Sequence, residues 1–383
     1  MTAETPLLFQ PITLRDLTLK NRVVISPMCQ HNADFGIPGD WHVVHLGRFA
    51  IGGAGLVFVE STAVDPRARI GIKDVGLWDD AQIAPFRRIT DFVHSVGGRI
   101  GVQLAHAGRK AGSEALWEGG RALSMEALAV TGEPWRRVGP SPLAPSAEWS
   151  VPEEMTVEDI AATERMFVDA ALRADAAGFD ALELHFGHGY LVASFLSPVS
   201  NKRKDAYGGS RDNRMRMCID YAAAVRRAWP AEKPLFVRIS AVDGSVDGWN
   251  IDDSVVLAER LKAVGVDVID CSSGGLAEET RNTNVPRGLG FQVPFSERIR
   301  REAGIRTQAV GVILDGQQAE AILRNGQADL VAIGREALLD PNWATHAAQA
   351  LGCDPNFETI NFRHGHWLAK RESLMRQIRE GRL

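Results

Sequence analysis

The sequence predicts an α/β protein, a (βα)8 or TIM barrel with an N-terminal hairpin and a long capping excursion after the third strand. Three observations carry this: a helix-to-strand junction that recurs four times, four further apolar runs of strand length, and helical patterns between them. The junction is a glycine followed by a buried strand, in Gly55 to Glu60, Gly178 to His185, Gly265 to Cys271 and Gly326 to Gly334. Glycine closes a helix well because the residue after the last turn commonly turns left-handed, where a Cβ is penalised. The other runs, Val23 to Ser26, Ile100 to Leu104, Leu235 to Ile239 and Thr307 to Val310, are largely apolar, as parallel strands covered on both faces are. No GxGxxG follows a strand, which disfavours an open dinucleotide-binding sheet.

Taken in order, Leu8 to Lys20 alternates apolar residues and predicts a small hairpin that plugs the barrel's bottom. The first strand runs into Ser26-Pro27-Met28-Cys29-Gln30-His31, followed by a helix with Trp41, His42 and His45, which read as structural. The second strand ends at Glu60-Ser61-Thr62 and the third at Gln103, with His106 just beyond. Residues 107–152, rich in Gly, Pro and Ser and holding Trp117, Trp135 and Trp149, form the excursion; long irregular segments of this kind are often lids. Thr156 caps the next helix with Asp159 at its third position, and Ile160, Phe167, Ala171 and Ala174 share one face. The fourth strand delivers His185-Phe186-Gly187-His188-Gly189-Tyr190, the fifth Arg238 and Ser240, the seventh Gly311, and the eighth Gly334-Arg335 at the start of a helix. Residues 1–360 make one domain. Residues 361–383 make an amphipathic tail, with Trp367, Arg371, Leu374, Met375 and Ile378 at helical spacing.

In a parallel barrel the C-terminal strand ends face the active site. Two imidazoles and a phenol at one such end form an acid–base cluster, and no nearby cysteine or carboxylate pair completes a metal-ligand set around them. Gly311, Gly334 and Arg335 combine backbone amides, a helix start and a guanidinium after strands seven and eight, which predicts a phosphate cradle. The net charge of -5 gives no general attraction to nucleic acid or membrane. Cys29, Cys218, Cys271 and Cys353 form no CxxC, and the first twenty residues lack a secretory pattern, so a cytoplasmic protein with reduced thiols is expected. A metal-dependent barrel hydrolase and a non-catalytic ligand-binding barrel are the competing readings.

Several motifs together resemble one family. They are Leu8-Phe9, Asn21-Arg22, Pro27-Met28, His106-Ala-Gly-Arg109, His188-Gly-Tyr190, Phe195-Leu-Ser-Pro198, Asn201 to Arg214 and Ile333-Gly-Arg335. Over most of its length the chain resembles the old yellow enzymes, FMN-dependent ene-reductases, and within them the short bacterial subgroup that includes xenobiotic reductases. The resemblance implies non-covalent FMN, NADPH or NADH as reductant, and small activated alkenes such as enones, enals, maleimides or nitro compounds as substrates. It implies that Ser26, Pro27, Met28, Cys29 and Ser61 line the flavin ring, that Gln103 meets the pyrimidine edge, and that Arg238 sits by N1 and O2. Gly311, Gly334 and Arg335 bind the phosphate. His185 and His188 donate to the substrate oxygen, and Tyr190 protonates the α-carbon. Tyr207 lies in a Gly-Gly-Ser loop and Tyr221 in a predicted helix, so Tyr190 is the strongest candidate for the proton donor among the three tyrosines. The subgroup usually has a substrate-contacting tyrosine where this chain has His31, which puts the pocket's polarity in question. The resemblance also implies a homodimer or homotetramer in which Trp367 reaches a neighbour's substrate pocket.

Overall fold

The computed structural model describes residues 5–131, 135–276, 285 and 287–382. An N-terminal hairpin, Ile12–Leu14 (β1) with Leu17–Leu19 (β2), precedes the barrel. The first three barrel strands are Val23–Ile25 (β3), Leu56–Ala63 (β4) and Ile100–Ala105 (β5). A two-stranded ribbon, Val138–Gly139 (β6) and Glu153–Glu154 (β7), belongs to the excursion. Ala181–Phe186 (β8), Leu235–Ser240 (β9), Val268–Ser272 (β10), Arg306–Val310 (β11) and Leu330–Ile333 (β12) complete a closed, all-parallel barrel. Each of the eight predicted strands is present. Closure pairs Val23 with Val331 and Ile25 with Ile333, joining the first barrel strand to the last.

Helices alternate with the strands. Asp40–Ile51 (α1) and Ile83–Ser95 (α2) follow β3 and β4, the short Met125–Ala129 (α3) lies in the excursion, and Val157–Ala176 (α4) precedes β8. Leu191–Leu196 (α5), Arg211–Ala228 (α6), Ile251–Ala263 (α7), Val293–Ala303 (α8) and Gly316–Arg324 (α9) continue the alternation. Arg335–Leu339 (α10), Trp343–Ala350 (α11) and Phe362–Arg379 (α12) end the chain. α4 starts where its capping box directs: Asp159 N–H donates to Thr156 Oγ1, Thr156 N–H donates back to Asp159 Oδ2, and the four predicted apolar positions are buried.

Strand parity stacks the barrel interior in layers. At the bottom, Ile12, Leu14, Leu17 and Leu19 of the hairpin pack with Val24, Leu56, Phe58, Ala181, Phe236, Val268 and Leu330, so the hairpin plugs the barrel as expected. Burying each such side chain contributes roughly 1.5–3 kcal/mol. The plug is also tied electrostatically: Arg15 Nε lies 2.8 Å from both Asp267 oxygens, and the Leu7 and Leu8 amides donate to the Glu320 carboxylate. Two residues up, β8, β9 and β10 carry Glu183, Arg238 and Asp270 into a polar layer beneath the mouth, while β12 places Ala332 there.

The excursion over the mouth is pinned by arginines. Arg137 donates to the Ala111, Gly112 and Leu123 carbonyls and lies 4.9 Å from the Trp149 ring, while Arg69 stacks 4.8 Å from Trp135. Trp135 and Trp149 are buried, whereas Trp117 is 68% exposed.

The tail does not pack on its own barrel. Its helix forms, but Gly365 is its one buried residue, and Phe362, Trp367, Leu374 and Ile378 face outward instead of packing on the barrel. The helix is where the spacing put it, but its apolar residues do not gather on one face, and the barrel's surface offers them no cover.

Candidate active site

β8 ends in a strained turn that turns three side chains to the mouth. His185 is on the inward face of β8, two residues above Glu183; His188 adopts φ 56°, and Tyr190 is the N-cap of α5. A backbone with a Cβ in the left-handed region costs energy and persists where surroundings hold it. Here the His188 amide donates to Ser240 Oγ at 2.8 Å, and Lys110 Nζ donates to the His188 carbonyl at 2.9 Å. His188 Nδ1 and His185 Nε2 are 3.1 Å apart, His188 Nε2 is 2.6 Å from Ser272 Oγ, and His185 stacks edge-on with Tyr190 at 5.2 Å. Burial, then the charges of Arg238 and Lys110, drive both imidazoles well below their ordinary pKa, with His188 also lowering His185. The pair is therefore neutral at pH 7.

A cavity of about 370 Å³ opens against this cluster, lined by Lys110, His188, Tyr190, Arg238, Ser272 and Gly311 among others. A second lobe of about 250 Å³, sharing Gly311, Val312 and Arg335, reaches Gly334. One continuous trough thus runs from the imidazoles, past Arg238, to the expected phosphate cradle. Gly311 has φ 116°, closed to other residues, and Val312 follows at 53°. Arg335 is exposed and makes no ion pair among the described residues, so its surface salt-bridge alternative does not hold. α10 has only five residues, so its dipole is small; the cradle depends on backbone amides and the guanidinium.

The other expected flavin contacts gather beside the trough. Ser26 N–H donates to Ile333 O at 3.0 Å, and Ser26 and Met28 flank the face of Gly334. Pro27 and Cys29 are half-buried on the same strand end, while Ser61 and Gln103 are buried register partners on β4 and β5. Burial, then Asp74 and Glu60, push the Cys29 thiol well up, so it stays protonated. Gln103 Nε2 donates inward, to Glu183 Oε1 at 2.7 Å. Ser26 Oγ and His185 Nδ1 are buried with no hydrogen-bond partner. Orphans of this kind call for a polar ligand, and a ring with amide edges carrying a phosphate suits the donor set.

Two expected substrate contacts lie elsewhere. His31, at φ 47°, turns its ring 2.5 Å from Asp74 Oδ1 and beneath the edge of Trp117, 5.4 Å between centroids; it does not line the trough. Burial opposes charge on this imidazole, but the hydrogen bond and charge of Asp74 outweigh it and raise the pKa. A buried carboxylate captures the ring, a partner 43 residues away that spacing could not reveal. Trp367 is 68% exposed on α12 and is not part of this chain's own trough. Lys110 and Ser272 were not anticipated; the Lys110 position directly after Arg109 was the available signal. His42 and His45 are buried in α1, as read, with His42 Nε2 3.2 Å from Glu60 Oε1. Among the described residues no group of three His, Cys, Asp or Glu is arranged to hold a metal.

Residues 7–353 match the family model described as NADH:flavin oxidoreductase / NADH oxidase family. The chain is 46% identical over 347 residues to an NADPH dehydrogenase of Geobacillus thermodenitrificans, covering 90% of this chain and 94% of the relative. It is 44% identical over 350 residues to the NADPH dehydrogenase of Bacillus subtilis, covering 91% and 96%. Among solved structures, morphinone reductase superposes with a TM-score of 0.75 at 27% identity, over 92% of this chain and 91% of that one. The old yellow enzyme homologue from Zymomonas mobilis gives 0.72 at 25%, over 88% and 90%. With barrel, trough and matched length in agreement, the chain belongs to the FMN-dependent NADH:flavin oxidoreductase / NADH oxidase family, as an enzyme of the old yellow enzyme type.

Proposed function

We propose that the protein is an NAD(P)H-dependent ene-reductase that saturates activated C=C bonds. When bound, FMN supplies the hydride, taken from a nicotinamide and passed to the β-carbon of an enone, enal, maleimide or nitroalkene. The carrying observation is the trough, which sets neutral imidazoles and a phenol at one end and an exposed arginine with Gly311 and Gly334 at the other. Arg335 and the surrounding amides would hold the phosphate, and Arg238 would meet the pyrimidine edge, where a fixed cation favours negative charge. His185 and His188 are the two donors to the carbonyl or nitro oxygen as charge develops there; His185 Nδ1 is the ring nitrogen without a partner, while those of His188 face His185 and Ser272. Neutral imidazoles suit this, since each brings an N–H without a repelled charge. Tyr190 protonates the α-carbon; an ordinary phenol keeps its proton at neutral pH until a carbanion-like centre takes it.

Tyr190→Phe separates the two half-reactions. Flavin reduction by nicotinamide is expected to stay near wild type, whereas reoxidation by cyclohexenone slows by about 10²- to 10⁴-fold. Equal loss in both, read by stopped-flow absorbance, would assign the proton elsewhere. A colourless, metal-dependent preparation would favour the hydrolase reading instead.

The outward apolar residues of α12 support a second element of the proposal, a homo-oligomer in which Trp367 completes the substrate pocket of another copy. The helix bears six Lys and Arg against two Glu between 362 and 382, while the rest of the chain is acidic, so the charges of tail and body are complementary.

A further inference from the structure

The polar layer inside the barrel holds charge that the reaction described above does not consume. Gln103, Glu183, Arg238, Asp270 and Gln308 project inward from five strands adjacent in the sheet, β5, β8, β9, β10 and β11. Glu183, Asp270 and Gln308 are completely buried, and Gln103 and Arg238 nearly so. Beneath them lies the apolar plug; above them lie His185 and the mouth.

The layer does not balance with both carboxyls ionised. Glu183 and Asp270 enter the same closed layer within side-chain hydrogen-bonding reach of each other, with Gln308 beside Asp270, yet Glu183 Oε2, both Asp270 oxygens and the Gln308 amide lack a well-formed hydrogen bond. Two touching carboxylates in a dry interior would put lone pair against lone pair and leave two charges against the single cation of Arg238, whose Nε is 3.4 Å from Asp270 Oδ2. One proton resolves both problems. It supplies the missing donor, and it leaves one carboxylate to one guanidinium. Asp270 faces Arg238, whereas Glu183 meets the neutral amide of Gln103, so the proton belongs on Glu183. Burial raises both carboxyls, Glu183 the more strongly and with the Asp270 charge adding to it; Arg238 pulls both back, and Gln308 helps to lower Asp270.

We infer that Glu183 and Asp270 share a single proton, carried by Glu183, and that this pair positions Arg238 and sets how much of its charge reaches the flavin. The second half rests on the reading that Arg238 faces the flavin ring. Neither carboxyl touches substrate, and both act through Arg238 as positioning residues.

The FMN-loaded full chain tests this. Its infrared spectrum should hold a protonated-carboxyl C=O band, shifted in D₂O, that persists from about pH 6 to about pH 8, above the ordinary carboxylate range. Glu183→Gln should delete the band while its amide replaces the acid as donor to Asp270, leaving the flavin midpoint potential unmoved. Asp270→Asn should raise the potential, because Arg238 loses its counter-charge; a tenfold shift in the two-electron equilibrium is about 30 mV. No such band in the wild type overturns the shared proton, even if neither variant folds. A band kept in Glu183→Gln overturns the assignment of the carrier. A potential unmoved in Asp270→Asn, with the band assigned to Glu183, leaves the pair standing and overturns its link to the flavin through Arg238.

Discussion

Arg335 is exposed, has no ion-pair partner among the described residues, and lines both lobes of the trough. Its loss leaves the barrel core untouched. A charge-assisted hydrogen bond contributes about 1.5–3 kcal/mol, so Arg335→Ala should weaken FMN binding roughly 10- to 100-fold, measured by the fluorescence of released flavin. Unchanged affinity would remove Arg335 from the cradle. Residues of this kind were legible because strand parity and a short turn fix where neighbouring side chains point: His185, His188 and Tyr190 span one hexapeptide, and Gly334-Arg335 follows a strand directly. Contacts made across the fold were not. Lys110 meets the His188 carbonyl over 78 residues, and His31 is held away from the trough by Asp74. No local pattern encodes such a partner.

Elements were legible in proportion to how completely they are buried. The barrel strands, covered on both sides, read as apolar runs, and the hairpin's alternation marked the one face it turns to the plug. Helix ends with few residues left less trace, and the brevity of α10 emerged only in three dimensions. The tail helix shows the opposite failure, forming over the expected residues but with no packing partner within the described residues. Ending the chain after Asn361 should therefore leave the melting temperature of the barrel nearly unchanged. It should reduce self-association, followed by sedimentation, and raise KM for a cyclic enone. A strictly monomeric wild type, or a truncated protein with unaltered KM, would exclude the shared pocket. Rising ionic strength should weaken the same association, since exposed charges are screened beyond about 8–10 Å.

The whole molecule should lose stability as the pH falls, and the histidines state why. Burial, then Arg48 and His42, hold the His45 pKa down at about 4. Burial with the charge of Arg67, opposed by Asp65, holds His106 at about 4. Both folded values lie below the unfolded value near 6.5, so the unfolded chain takes the proton more readily. The stabilisation is complete above about pH 6.5 and is lost between there and about pH 4, on the order of 3 kcal/mol for each group. His45→Phe keeps the edge contact with Phe49 and should flatten part of the fall in urea midpoint across that window. An unaltered slope would place the acid sensitivity in other groups.

The N-terminal plug has a consequence for the order of events during synthesis. Its anchors are Asp267 and Glu320, and the strand that follows it closes the barrel on residues 331–333. The hairpin, made ahead of the barrel, thus finds its partners some 250 to 310 residues later, a wait of roughly 15–60 s at 5–20 residues per second. Through that interval the hairpin's leucines and the edge of β3 that pairs with β12 lack their native partners, which makes transient pairing or chaperone cover the expected requirement of the nascent barrel.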